Sequence, residues 1–85
     1  SVAKNPDLIE LKILSSGFLA GNYWVDVDSQ RSMLYLLEST TELTSSNWTV
    51  VQQTEGNGER LTLMDESPSE EMKFYQVRSV PIGSN

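Results

Sequence analysis

The sequence predicts an all-β fold: a two-sheet antiparallel sandwich of about six strands. Three observations lead there. Short apolar runs alternate with polar residues at period 2, the signature of strands with one buried face. Turn-forming residues recur roughly every 8 to 14 positions, the rhythm of a small sandwich or barrel. Finally, the one stretch with a helix-start pattern, Ser67-Pro68 before "SEEM", runs into β-branched and aromatic residues that oppose a helix beyond a single turn.

The strands follow in order. "LIELKIL" (8–14) sets Ile9, Leu11 and Ile13 against Glu10 and Lys12. "SSGFLAGN" then reads as a connection punctuated by Gly17 and Gly21. "YWVDVD" (23–28) places Tyr23, Val25 and Val27 on one face, with Trp24, Asp26 and Asp28 on the other. "SQRS" is a turn. "MLYLLES" (33–39) is apolar on both faces, which suits a central strand. "TTELTSSN" is a polar connection, because Ser and Thr side chains bond nearby backbone and compete with ladders. "WTVVQQT" (48–54) is the fourth strand, and Asn57-Gly58 turns the chain, since both residues tolerate positive φ. "RLTLMD" (60–65) sets Leu61 and Leu63 against Arg60, Thr62 and Met64. An acidic loop interrupted by Pro68 leads to "KFYQVRSV" (73–80). Residues 1–85 read as one domain with tails at 1–7 and 81–85.

Composition narrows the function. The chain has no Cys and no His, so it lacks a disulfide framework, the commonest general base and the commonest metal ligand. A net charge of −6 with only 6 Lys and Arg argues against nucleic acid, whose phosphates are bound through clustered cations. No apolar run approaches the roughly 20 residues of a membrane-spanning helix, so membrane insertion is not expected. Nothing implies a cofactor. Serines are plentiful, but there is no triad, nucleophile elbow or phosphate-cradling glycine loop, and no enzymatic activity is expected. A signal-peptide cleavage and a domain boundary would account equally for a first residue that is Ser rather than Met.

The segments from residue 33 to residue 80 resemble the fibronectin type III-like, immunoglobulin-like sandwich. "YLLESTTEL" looks like its third strand, "NWTVVQQ" like the short strand after it, "ERLTLMD" like the fifth and "FYQVRSV" like the sixth. They are also similar to small modules near the C-termini of large exported bacterial proteins. Those carry a Tyr-x-(Leu/Val)-Glu-x-Ser-Thr-x-Leu-x-x-Trp stretch before a Phe-Tyr-Arg-Val ending. Here the residue between Glu38 and Ser39 is missing and Gln76 stands in place of the Arg. The resemblance implies a secreted or cell-surface bacterial parent. It also implies a core built on Tyr35, Leu37, Trp48, Tyr75 and Val77. Trp48 would lie over that core as a lid, and Tyr75 would donate its hydroxyl to the backbone of the preceding loop. A seventh strand would be expected after residue 80, yet Pro81 follows. The sheets are therefore expected to be strands 1-2-5 and 3-4-6, with strand 6 presenting an open edge. Its cover would be the N-terminal tail, a neighbouring domain or another chain.

Candidate sites are few. Asp26 and Asp28, Asp65-Glu66 and Glu70-Glu71 supply too few converging oxygens for a hard cation and read as solvated charge. As a glycosidase pair they lack a cleft. Asn47-Trp48-Thr49 fits a glycosylation sequon, a triplet common by chance. Leu34 and Leu36 should face outward beside Phe74, with Trp24 on the other sheet. Such a face would dock a neighbouring domain or chain, or stack on a polysaccharide, or be covered by long loops or the N-terminal residues. The expected function is a non-catalytic structural or docking module, with carbohydrate binding through exposed aromatics as the alternative.

Overall fold

The computed structural model describes residues 11–44, 47–66 and 72–82. The start of the expected first strand (8–10), the helical turn considered near Ser67 and the Glu70-Glu71 pair lie outside them. The described residues form six strands: β1 (Lys12–Leu19), β2 (Asn22–Asp28), β3 (Met33–Thr40), β4 (Thr49–Glu55), β5 (Arg60–Met64) and β6 (Phe74–Pro81). They pair into two three-stranded antiparallel sheets, β1-β2-β5 and β4-β3-β6. The grouping is the one predicted, and β3, apolar on both faces, is the centre of its sheet. β6 ends at Pro81, one residue beyond the expected strand.

Alternation builds the core. Val25 and Val27 pair with Leu63 and Leu61 in the first sheet, while Tyr35 and Leu37 point inward from the second. Val25, Val27, Met33, Tyr35, Leu37 and Leu63 form the buried cluster. Leu11, Tyr23, Val51, Leu61, Tyr75 and Val77 pack against it. Of the residues expected in the core, Trp48 alone is outside this cluster. A bulge between Leu37 and Glu38 is the reason: it shifts the alternation so that Val50 faces Glu38 on the outer side. Trp48 falls in step with Val50 and is only half-buried.

The first connection differs from expectation. β1 runs through Gly17 to Leu19, and the reversal occurs at Ala20-Gly21, whose φ values of 53° and 85° make a two-residue hairpin turn. Gly17 is a strand residue whose missing side chain leaves room for Trp24 on β2. A Cβ at Gly17 would lie 3.3 Å from Trp24 Cζ2.

The Asn57-Gly58 turn joins β4 of one sheet to β5 of the other. It is anchored to the 29–32 turn. The Ser29 hydroxyl donates to the Glu59 carbonyl at 2.5 Å and accepts from the Asn57 N–H at 3.1 Å, while Asn57 Oδ1 accepts from the Glu59 N–H at 2.8 Å. Tyr35 joins from the core, its hydroxyl accepting the Gln30 N–H at 2.8 Å. Gly56 donates to the Met33 carbonyl at 2.7 Å and is so enclosed that a Cβ would meet the Gln30 carbonyl oxygen at 2.0 Å.

Candidate functional site

β4 and β5, edge strands of different sheets, lie against each other, which leaves β1 and β6 as the edges of the opposite side. The sheets close at the β4/β5 side. Gln52 points inward opposite Leu37, and its Oε1 accepts the Met64 backbone N–H at 2.5 Å, a bond from one sheet to the other. Among the described residues, β1 and β6 make no comparable approach. Ile13 and Phe18 occupy inward positions opposite Val27 and Tyr23, yet they are 54% and 69% exposed. On the outer side Leu19 is equally bare, and Leu14 projects from the bulge between Ile13 and Ser15.

One end of this open side is spanned by aromatic rings. Phe18 meets Tyr23 edge-on at 5.4 Å between centroids, and Tyr23 stacks on Tyr75 of the opposite sheet at 4.2 Å. The Tyr75 hydroxyl donates to Asp65 Oδ2 at 2.7 Å, not to loop backbone as expected, and Lys73 Nζ donates to the same oxygen at 3.0 Å. The carboxylate is the better acceptor for a half-buried phenol because it is charged. Burial and the Asp65 anion push the Tyr75 phenol up to about 12. Asp65 is itself only 2% exposed, so it is not the solvated charge anticipated.

Two further carboxylates are also tied, Asp26, expected to be solvated charge, and Glu38. Asp26, on the outer face of the first sheet, is buried. It accepts from Thr62 Oγ1 at 2.5 Å and from Arg60 Nε at 2.8 Å. These partners, the Thr62 hydroxyl foremost, hold its pKa below the ordinary value against the opposing effect of burial. Its strand neighbour Asp28 remains half-buried opposite Arg60 in register. Glu38, central on the outer face of the second sheet, is gripped by Arg78, whose Nη2 and Nε reach its oxygens at 2.9 and 3.1 Å. Gln76 Nε2 donates to it at 2.7 Å. The Arg78 fork lowers the Glu38 pKa and raises its own.

The Glu38 cluster divides the anticipated apolar patch. Leu34 pairs with Val80 and Leu36 with Arg78, whereas Phe74 pairs with Thr40, at the far end of β3 beyond Glu38. Leu36 is 7% exposed, and Leu34 and Phe74 are half-buried. Leu34, Leu36 and Phe74 therefore do not form one exposed surface. Trp24 lies half-buried on the other sheet, over Gly17 and beside Met64.

An open depression of about 500 Å³ lies at the end of the second sheet, lined by Thr40, Thr41, Asn47, Thr49, Val50 and Lys73 among others. Among the described residues its one titratable lining group, Lys73, is bonded to Asp65. Among the described residues no three His, Cys, Asp or Glu side chains converge as metal ligands. Asp26 and Glu38 have lowered pKa values, the wrong direction for a general acid near neutral pH.

The surface that reading the sequence missed is β1. Phe18 and Leu19 were assigned to a connection because Gly17 precedes them. The signal that could have placed them on a strand was Ala20-Gly21, a hairpin dipeptide immediately after. A search against protein-family models, curated proteins and solved structures finds no match for this chain.

Proposed function

We propose that this chain is a non-catalytic interaction module, a spacer or docking domain of a larger exported bacterial protein. The carrying observation is the open β1/β6 side, where Ile13, Leu14, Phe18 and Leu19 stand exposed along one edge strand. An edge strand that exposes this many large apolar side chains marks association in soluble proteins. The exported bacterial parent, of fibronectin type III-like type, rests on the resemblance of residues 33–80 alone. The second reading, carbohydrate binding, is favoured by Trp24 held flat over Gly17 on an outer sheet face. Tryptophan fluorescence titrated with a panel of polysaccharides separates the two. A docking module gives a flat response, and a saturable shift that disappears in Trp24→Ala would overturn it.

A further inference from the structure

β1 has the composition of an interior strand but the position of an edge strand. It carries large apolar residues on both faces, yet among the described residues its backbone ladder runs only to β2, with Ser15 Oγ accepting from Arg60 Nη2 at 3.5 Å besides. Four of the seven exposed large hydrophobics among the described residues, Ile13, Leu14, Phe18 and Leu19, lie on this one element. Edge strands in soluble proteins are normally guarded by charge, and β1 carries only Lys12, at its first position.

We propose that β1 pairs antiparallel with β1 of a second copy of this chain, making a continuous six-stranded sheet β5-β2-β1-β1-β2-β5. This deepens the docking reading and rests on it. The strand's own sequence names the partner. Its apolar residues sit at the two ends, Ile13-Leu14 and Phe18-Leu19, around a centre of Ser15, Ser16 and Gly17. A two-fold axis at Gly17 sets Leu19 of one copy opposite Ser15 of the other on the outer face, and Phe18 opposite Ser16 on the inner face. The small serines leave room for the large apolar side chains. Such self-complementarity is what a two-fold interface requires. The bulge at Leu14 leaves an unbroken register from Ser15 to Leu19 along which the new ladder can form.

Charge agrees. The chain carries −6, so two copies repel over most of their surfaces. β1 and β6 contain no Asp or Glu although the chain has 12. The side where the sheets part is thus where two acidic copies meet with least repulsion. Ile13 and Phe18, left uncovered by the opposite sheet, gain burial from the neighbouring copy.

The test is sedimentation velocity on the full chain, with loading varied from about 5 to about 500 μM. A monomer-to-dimer shift with rising concentration is expected. Phe18→Lys and Leu19→Lys, at exposed positions that leave the fold intact by circular dichroism, should each weaken dimerisation by about tenfold or more. Leu43→Lys, an exposed apolar residue elsewhere, should leave it unchanged. Hydrogen exchange at high concentration should protect β1 amides. A wild-type chain that stays monomeric throughout, β1 variants that dimerise like wild type, or protection at the β4 or β5 edge instead would each overturn the proposal. These failures are distinct from that of the docking reading, which falls to a saturable polysaccharide titration and survives a monomer.

Discussion

Along the β4/β5 side the two sheets are fastened to each other, whereas along the β1/β6 side they part. The fastened side owes its closure to polar and backbone groups: the Gln52 amide bonded to the Met64 N–H, and the 56–59 connection tied to Ser29. The open side has the larger apolar side chains, Phe18 and Ile13, but they stay exposed among the described residues. Apolar content therefore does not decide which side of a sandwich closes. The β4/β5 side is held by its short connection and by the Gln52 bond between sheets, while the chain's other two crossings, from β2 to β3 and from β5 to β6, leave the opposite side apart.

The largest test of that contrast makes the same substitution on each side. Gly56→Ala drives a Cβ into the Gln30 backbone carbonyl, 2.0 Å away, where no side-chain movement can relieve it. A loss of about 4 kcal/mol or more is expected, in the range reserved for severe steric damage, and it approaches the whole stability of so small a domain. Gly17→Ala meets only the Trp24 ring at 3.3 Å, and a glycine in a strand already costs conformational entropy. It should change stability by less than about 1 kcal/mol in either direction. Urea unfolding followed by circular dichroism measures both, and equal effects would erase the distinction between the sides. Leu63→Ala, in the fully buried cluster, should lie between them with a loss of about 3 kcal/mol.

How far this contrast could be read from the sequence depends on which physical signal each element carries. Period-2 alternation located β2 and β5, because Val25, Val27, Leu61 and Leu63 must share an inward face. The double-faced apolar pattern of β3 marked it as central, and the sheet grouping came from the resemblance to a known sandwich. β1 was misplaced because Gly17 reads as a break, and only the contact with Trp24 on a neighbouring strand explains a glycine there. Trp48 was misassigned because a bulge inverts alternation without leaving a mark in composition. The buried carboxylates were invisible for a similar reason. Asp26, Glu38 and Asp65 find their cations 34, 40 and 8 residues away, through register that no local pattern encodes.

The tie between Asp65 and Tyr75 gives a pH-dependent test at the closed end of the open side. The Tyr75 phenol is raised from 10.0 to about 12 in the folded chain. A raised acid binds its proton more tightly when folded. Its stabilising contribution is therefore complete below pH 10 and is lost as pH climbs through about 12. Tyr75→Phe should cost about 2 kcal/mol at neutral pH, from the lost hydrogen bond to a charged acceptor, and should flatten the alkaline limb. Asp26 and Glu38 act in the opposite direction. Their folded pKa values are lowered from ordinary values of 3.8 and 4.5. Their contribution is present above those values and fades as pH falls below them. Urea midpoints at pH 7 and pH 3 should differ less in Glu38→Gln than in the wild type.

The smallest expected effect sharpens the comparison most. Phe18 is 69% exposed, and its one described ring contact is the edge-on approach to Tyr23. Replacing it with Lys removes little buried area from a single chain, so at micromolar concentration the unfolding midpoint should move by less than about 0.5 kcal/mol. The same substitution at hundreds of micromolar should cost more, because any partner that covers β1 adds its binding free energy to the folded state by mass action. A midpoint for the wild type that rises with concentration, beside one for Phe18→Lys that does not, would show that the open side is completed from outside the chain. A large loss for Phe18→Lys at low concentration would show instead that Phe18 is already part of the monomer's core, and that the two sides of the sandwich are closed alike.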